Sequence, residues 1–254
     1  MQNVVNALRA LEEVAARQPI GVADLARALE LPKSSVQRTL VTLHTAGWIR
    51  PTGGAPTRWV VTTKALHVGR HATDELGLRD VALPVMEELR RRTDETIHLA
   101  VREGGKVVLV ERLETGQPVR IILPLGQNLP VHASANGKAV LAADPAEAAE
   151  RYISGGLPGF TGATITDPRR LRTELADTRA RGYATNGGEW RTDVSAVAAA
   201  VIGDAGLPVA SISINVPTSR MTEDAVPAYG ALVSEAAKKV SAALGHTRGA
   251  GGGQ

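Results

Sequence analysis

The apolar residues at the start of the chain recur at the spacing of amphipathic helices. Val4, Leu8 and Leu11 lie at positions i, i+4 and i+7 and predict a first helix, which ends before Pro19 and Gly21. A second short helix is predicted over residues 22–29. After a break at Leu31-Pro32, a third helix is predicted to run to Gly47, with an inward face formed by Val36, Leu40 and Leu43.

Short strand-like runs follow Gly47. Residues 48–50 and 58–61 are rich in Trp, Ile and Val, and they flank residues 51–57, in which Pro, Thr and Gly dominate. This pattern predicts a β-hairpin laid against the three helices. Three helices with such a hairpin form a winged helix-turn-helix.

The rest of the chain predicts a second, larger domain. A mostly polar helical connector over residues 64–78 precedes a helix that runs to about Arg92, with Val81, Val85 and Leu89 on one stripe. From Glu95 the apolar residues alternate with polar ones, as in half-buried strands. Strands are predicted at residues 97–101, 107–113, 119–123, 194–202 and 208–216, and helices after Gly137, after Asp144-Pro145, from Thr166 to Gly182, and at the C-terminal end.

Hairpins separated by helices predict an α+β fold whose sheet is antiparallel and covered on one face. The predicted domain bounds are 1–66 for the winged helix-turn-helix, 67–78 for the connector helix and 79–245 for the α+β domain. The Gly-rich residues 246–254 are predicted to form a disordered tail.

Composition and charge narrow the functional class. The 254 residues contain no cysteine, which excludes disulfides and thiolate chemistry, and no stretch of apolar residues is long enough for a membrane span. A cytoplasmic location is therefore expected. The net charge of +3 is unevenly placed, since residues 1–66 hold 8 Lys and Arg against 4 Asp and Glu, whereas the rest hold 21 against 22. The excess of positive charge in the first domain suits a polyanionic partner.

The third helix is the candidate for reading DNA, because its apolar side faces inward and its other side is polar. Gln37 can pair with adenine and Arg38 with guanine, while Lys33, Ser34 and Ser35 suit phosphates. Arg50 and Arg58 on the wing strands are placed to reach the flanking DNA backbone or a minor groove. A merely solvated polar face is the alternative; the conjunction of turn, helix and wing favours duplex DNA. The predicted contacts are Lys33, Ser34, Ser35, Gln37, Arg38, Thr42, Arg50 and Arg58.

Several segments together resemble the IclR-type bacterial regulators. They are residues 21–26 and 33–40 in the first domain, and residues 129–139, 181–184, 188–189, 194–199 and 208–214 in the second. The similarity extends over nearly the whole chain apart from the tail. It implies a GAF-like effector-binding domain and a homodimer joined mainly through the DNA-binding domains, often paired into tetramers through the effector domains.

The resemblance also implies where a small effector would bind. Ala135 and Asn136 would supply backbone or amide contacts, Asn186, Ser213 and Asn215 would supply polar contacts, and an apolar wall would be formed by Ile121, Leu129, Val194 and Ala196. Some members have Asp where this chain has Asn186, and Cys where it has Ala196. These differences argue against metal ligation and leave the site less negative, which suits an organic or aromatic acid with a carboxylate group.

Catalytic and metal-binding interpretations are weaker. His132, Asp193 and Ser195 could compose a hydrolase triad, yet the G-x-S-x-G motif is missing. Gly137-Lys138 lacks the other residues of a phosphate-binding loop, and His67 and His71 alone are too few ligands for a metal. No cofactor is expected.

The sequence thus predicts a ligand-controlled regulator, more often a repressor, that binds a near-palindromic operator as a dimer. The connector around residues 67–78 would transmit the effect of the ligand. An enzyme with an appended winged helix and a protein-interaction module remain as alternatives.

Overall fold

The computed structural model describes residues 2–74 and 77–251. The chain divides into two compact units between residues 75 and 76, within the range predicted for the connector. Among the helices of the described residues, none combines the length and the hydropathy that crossing a membrane requires.

The first unit consists of four helices and a small antiparallel sheet. Its core is formed by residues from the first three helices and from all three strands, with Trp59 and Ile49 buried under the wing. The strand order is β1-β3-β2. The elements are α1 (Gln2–Arg17), β1 (Ile20–Gly21), α2 (Val22–Leu29), α3 (Lys33–Thr45), β2 (Ile49–Pro51), β3 (Arg58–Val61) and α4 (Lys64–Asp74).

The helix-turn-helix and the wing are confirmed, with two corrections. Val4 and Leu8, whose spacing predicted the helix, are exposed, and the helix buries Ala10 and Val14. The strand β1, which the sequence pattern did not predict, pairs with β3 through Ile20 opposite Trp59. A strand of two residues is too short to show a period.

The second unit is built around one six-stranded antiparallel sheet of order β6-β5-β4-β9-β8-β7. Its strands are β4 (Thr96–Glu103), β5 (Lys106–Leu113), β6 (Asn128–Leu129), β7 (Ala184–Gly187), β8 (Val194–Ile202) and β9 (Pro208–Pro217). Its helices are α5 (Leu78–Thr93), α6 (Ala135–Ala143), α7 (Ala146–Ser154), α8 (Pro168–Arg181) and α9 (Ala225–Gly251), with a short 3₁₀ turn at Thr218–Arg220.

Helices cover both faces of this sheet, not one as predicted. Helices α5 and α9 pack against the side chains of Leu99, Ile212 and Ile214 on the first face. On the second face, α6 packs against β7 and β8, and an apolar cluster joins α6, α7 and α8 to the loop that contains Ile121. The alternating polar residues of β4 and β9 therefore face a second layer of protein and not solvent.

The predicted strand at Val119–Leu123 does not form. Residues 126 and 127 form the hydrogen bonds at that edge of β5. The amide of Gly126 donates to the carbonyl of Leu109, and the amide of Leu109 donates to the carbonyl of Gln127. Ile121 and Leu123 are buried nevertheless, while Val119 and Ile122 are exposed. The strand β7 was not predicted, since its four residues, Ala-Thr-Asn-Gly, mostly have low strand propensity.

Helix α9 continues through residues 246–251, where the sequence predicts a disordered tail. Glycine lowers helix propensity without forbidding the backbone hydrogen bonds that continue a helix. Residues 252–254 of the predicted tail lie outside the described residues.

Gly137 fixes how closely α6 approaches the loop before it. A Cβ atom at this position would collide with the backbone of Val131, which cannot move aside as a flexible side chain could. We expect Gly137→Ala to destabilise the protein by about 3 kcal/mol, measured as the free energy of unfolding in urea. Gly187→Ala is the matched control, because a Cβ there meets none of the described residues within 4 Å. Equal stability of the two variants would contradict the tight packing of α6.

Candidate nucleic-acid interface and ligand site

Helix α3 separates an inward apolar side from an outward polar side. Val36, Leu40 and Leu43 are buried at the spacing of one helix face. The turn before α3 is sharp, since Glu30 at the end of α2 has a left-handed backbone with φ of 56°. Pro32 at the start of α3 provides no side-chain cap, which leaves the helix N-terminus to other hydrogen-bond acceptors.

The structure exposes most of the residues predicted to contact DNA. On α3, Ser35 is half-buried, and the exposed residues are Lys33, Ser34, Gln37, Arg38 and Thr42. The hydroxyl of Thr42 donates to the carbonyl of Arg38, 3.0 Å away, within the same helix. Their contacts with DNA stay a prediction, but this side of α3 is left uncovered by the described residues of the first unit.

The two wing arginines differ in their surroundings. Arg50 is exposed on β2. Arg58 is exposed on β3, and its Nη1 atom donates to the carbonyl of Pro19 at 3.1 Å. Arg58 therefore also ties the wing to the chain that follows α1.

The register of the second unit's sheet aligns polar residues in two rows on the face that α6 covers. In the first row Asn186 lies opposite Ala196, Ala196 opposite Asn215, and Asn215 opposite Thr96. In the second row, Ala184, Ala198, Ser213 and His98 follow one another across the same four strands. Directly paired residues point to the same face of a sheet, so both rows share one surface.

Small residues let α6 approach this surface closely. Ala135 and Ala139 of α6 pack against Ala184, Ala196 and Ala198 of the sheet. Nδ2 of Asn136 donates to Oγ of Ser211 at 3.0 Å, which fixes the start of α6 over β9.

The side-chain amides of Asn136 and Asn215 donate to two serine hydroxyls, whose own protons stay available. Nδ2 of Asn215 donates to Oγ of Ser213 at 2.9 Å, as Asn136 does to Ser211. Each serine oxygen accepts a hydrogen bond, and its own O–H remains to donate. The surface is therefore suited to an acceptor-rich group such as a carboxylate.

All nine predicted effector contacts are buried in this region of the second unit. Asn186 supports its own loop, since its Oδ1 accepts from the amide of Glu189 at 2.8 Å. Ile121, Leu129 and Val194 belong to the apolar cluster beside the polar rows. The remaining residues, Ala135, Asn136, Ala196, Ser213 and Asn215, meet between α6 and the sheet.

Sequence reasoning missed Thr96, His98 and Ser211 on the same surface. All three are fully buried. Burial, followed by the nearby charge of Arg112, lowers the pKa of His98 to about 3. The alternation along β4 shows that residues 96 and 98 are polar. A prediction that both faces of the sheet are covered would have placed these two residues in the buried site.

A buried ion pair lies at the other side of α6. Nζ of Lys138 donates to Oε1 of Glu189 at 2.6 Å and lies 3.6 Å from Oε1 of Glu174. Burial raises the pKa of Glu189, and the charge of Lys138 opposes this rise. The ammonium group is thus engaged within the protein and is not presented to a phosphate.

The three residues of the conceivable hydrolase triad have other partners. The ring of His132 bonds the hydroxyl of Tyr152 and the carbonyl of Pro158. Ser195 donates to Oγ1 of Thr218, and Asp193 accepts from Arg191. Among the described residues, no group of three or more His, Asp and Glu side chains could hold a metal ion; the side chain of His71 lies outside them.

A winged helix-turn-helix followed by an α+β unit with a buried polar surface defines a DNA-binding transcriptional regulator. Two family models match the chain: "IclR helix-turn-helix domain" over residues 3–53 and "Bacterial transcriptional regulator IclR C-terminal" over residues 70–242. The chain therefore belongs to the IclR family.

Curated relatives and solved structures agree with this assignment. The transcriptional repressor IclR of Escherichia coli (strain K12) is 31% identical over 98% of this chain and 92% of its own length. The transcriptional repressor AllR of Klebsiella pneumoniae is 36% identical over 88% of this chain and 82% of its own.

Among solved structures, Thermotoga maritima IclR has a TM-score of 0.82 at 27% identity, covering 96% of this chain and 99% of that chain. An IclR homologue from Microbacterium hydrocarbonoxydans complexed with 4-hydroxybenzoate has a TM-score of 0.81 at 28% identity, with 95% and 98% covered. These relatives are regulators and not enzymes, so the protein is a DNA-binding transcriptional repressor.

The depressed pKa of His98 predicts how stability depends on pH. Between about 6.5, its ordinary value, and about 3, the unfolded chain binds a proton at His98 that the folded protein does not. Stability should therefore fall as the pH falls through this window. His98→Leu should reduce this loss and should not lower stability at neutral pH, because His98 leaves buried nitrogens unpaired.

Urea unfolding at several pH values would measure this dependence. Ser241→Ala, which removes a half-buried hydroxyl that bonds the carbonyl of Ala237 and the amide of Ile202, removes no titrating group and should retain the wild-type pH dependence. An unchanged pH dependence in His98→Leu would show that His98 titrates normally.

Proposed function

We propose that the protein is a homodimeric repressor whose affinity for a near-palindromic operator is controlled by a small organic or aromatic acid. The observation that carries the DNA part is the exposure of Gln37 and Arg38 on a helix whose opposite side is buried. The observation that carries the ligand part is the buried polar surface between α6 and the sheet. Its place of action would be the cytoplasm, where bacterial DNA lies.

The roles of the DNA-contacting residues follow from their chemistry. Gln37 and Arg38 would read base edges in the major groove, with adenine and guanine as their respective partners. Lys33, Ser34 and Ser35 at the start of α3 would hold phosphates. Arg50 would reach the flanking DNA backbone. Arg58 would do the same while it keeps its hydrogen bond to the carbonyl of Pro19. Thr42 would lie along the major groove.

An exposed apolar stripe on α1 supports a dimer formed through the first unit. Val4, Val5 and Leu8 are 66%, 48% and 56% exposed, although they lie on a regular amphipathic helix. A second copy of α1 would remove this stripe from water. Two α3 helices in such a dimer would enter successive major grooves about 34 Å apart. Further pairing through the effector domains would give a tetramer.

The effector would bind through its carboxylate to the hydroxyl donors of Ser211 and Ser213, with Asn136 holding Ser211 in place. Ile121, Leu129, Val194 and the alanines would contact its apolar part. A related regulator from Microbacterium hydrocarbonoxydans has been crystallised with 4-hydroxybenzoate, an acid of this kind. To alter repression, the acid must bind the DNA-competent and incompetent states unequally, and typical couplings amount to about 1–3 kcal/mol. The segment around residues 67–78 would transmit the change.

Arg38→Ala tests the interface with DNA. Loss of one bidentate base contact should weaken operator binding by about 1–3 kcal/mol and relax specificity at one base pair. The operator can be selected from random duplexes by the wild-type protein, and affinity measured by gel retardation at fixed salt. Acid binding, measured by thermal shift, should be unchanged.

Arg169→Ala is the control for this test, because it removes the same charge from an exposed position of α8 in the other unit. Unchanged operator affinity in Arg38→Ala would refute the role of Arg38. Turnover of a bound acid would favour an enzyme instead, and salt-insensitive binding to a protein without retardation of DNA would favour an interaction module.

Leu8→Asp tests the dimer. A charge in the middle of the exposed stripe should be tolerated in the monomer, since Leu8 contributes nothing to the buried core, but should prevent a second α1 from packing there. Sedimentation equilibrium should show a shift from dimers towards monomers, and retardation of a two-half-site operator should weaken more than that of a single half-site. Leu207→Asp alters an exposed leucine in the turn between β8 and β9, outside the first unit, and should leave the α1 dimer intact. A dimer as tight as wild type in Leu8→Asp would exclude α1 as the interface.

A further inference from the structure

Two buried side chains of β4 have hydrogen-bonding atoms without a partner among the described residues. Oγ1 of Thr96 and both ring nitrogens of His98 are unpaired, although both residues are 0% exposed. Such groups cost free energy in a folded protein because they have lost water and gained nothing in return. Two such residues that are neighbours on one face of a strand therefore require an explanation.

Both residues lie on the surface that carries the proposed acid-binding groups. Thr96 is opposite Asn215 and His98 is opposite Ser213 in the antiparallel pairing of β4 with β9. Ala100, the next residue on this face of β4, belongs to the apolar cluster that includes Ile121. The unpaired atoms thus lie beside the strand that carries the serine hydroxyls, and on the same strand face as Ala100 of the apolar cluster.

The imidazole of His98 offers one donor and one acceptor. Burial and the charge of Arg112, which lies opposite His98 on β5, keep the ring neutral at about pH 7. A carboxylate has only acceptor atoms, so it could pair with the ring N–H but not with the bare nitrogen. A hydroxyl group both donates and accepts, and it can satisfy either nitrogen as well as the hydroxyl of Thr96.

The surface therefore has two chemically different parts. Ser211 and Ser213 already accept from asparagine amides and have protons to donate, which suits a carboxylate. Thr96 and His98 have both a donor and an acceptor to satisfy, which suits a hydroxyl. Neighbouring strands are spaced about 4.8 Å apart, so one compact ligand could meet both parts.

We propose that Thr96 and His98 are specificity-determining residues that bind a hydroxyl group of the effector, and that the effector class is hydroxy acids. The proposal rests on the proposed function, in which this surface holds an acid. It adds a second recognition group and predicts which acids are rejected.

Calorimetry with matched pairs of acids tests the selectivity. The pairs are 4-hydroxybenzoate and 3-hydroxybenzoate against benzoate, and lactate against propionate, with 4-methoxybenzoate as an ether that can only accept. In the wild-type protein, the hydroxylated member of at least one pair should bind about tenfold or more tightly than its partner, because the partner leaves Thr96 and His98 unpaired. If the selected pair is the 4-hydroxy one, the methoxy acid should bind no better than benzoate.

Two variants assign the selectivity to these side chains. His98→Leu and Thr96→Val should each reduce the preference for the hydroxylated acid severalfold, while the affinity for its unhydroxylated partner should be unchanged or higher. A merely structural role would lower both affinities together and leave their ratio intact. Thr178→Val, a buried threonine in α8 whose hydroxyl lies beside Glu174, is the control and should keep the wild-type ratio.

The outcomes separate this proposal from the proposed function. Equal affinities within every pair, a preference that persists in both variants, or no binding by any of the acids would overturn the hydroxyl assignment. Operator release by hydroxylated and unhydroxylated acids alike would overturn it while supporting control by acids. Selective binding that depends on His98 but leaves operator affinity unchanged would uphold the assignment and contradict the proposed control of DNA binding.

Discussion

The close approach of α6 to the central sheet is the constraint on which the second unit depends. It is possible because Gly137 has no Cβ to meet the backbone of Val131, and because the residues between helix and sheet are alanines. A larger side chain at Ala135 or Ala196 would hold the helix away from the sheet. Asn136 would then lose Ser211, and the polar rows would open to water. The same close packing that stabilises the unit therefore shapes its buried polar surface.

The buried charge of Lys138 on α6 is unfavourable by itself, and the ion pair that compensates for it fixes the position of α6. A fully buried ammonium group loses several kcal/mol of hydration and must be paired closely to be tolerated. Glu189 provides that pairing, and its backbone carbonyl in turn accepts from Thr161 and Thr164. The loop around residues 161–164 and the chain after β7 are thereby attached to α6. Buried ion pairs contribute little net stability compared with apolar packing, so this one is better understood as fixing the relative position of three segments near the buried polar surface.

Local patterns predicted the first unit better than the second. Val36, Leu40 and Leu43 are buried by a helix whose period is visible in a short window, and the turn-rich wing tip is equally local. The spacing of Leu8 predicted the helix but not that Leu8 is exposed. An amphipathic pattern shows that a face avoids water, and it does not show whether the same chain or another copy covers that face. The polar positions of β4 led to the wrong prediction that one face of the sheet is uncovered, because alternation cannot distinguish a face in water from one beneath a second layer.

Residues 119–123 have strand propensity, but they form no strand because residues 126–129 occupy the edge of β5. Asn136, Ser213 and Asn215 were predicted through family resemblance, whereas Thr96 and His98 became visible only when the hydrogen bonds of each buried atom were counted.

The unsatisfied atoms of Thr96 and His98 connect stability with regulation. Leaving one buried donor or acceptor unpaired costs about 1–3 kcal/mol, which equals the size of a typical allosteric coupling energy. A ligand that pairs these atoms in one arrangement of the domain, and cannot reach them in another, would shift the balance between the two by that amount. A fully satisfied polar surface would make the free protein more stable, but it would leave the ligand less free energy to contribute. The unpaired state of these side chains is therefore a property that a regulator can use, in a strand whose neighbouring residues Ile97, Leu99 and Ala100 are apolar and buried.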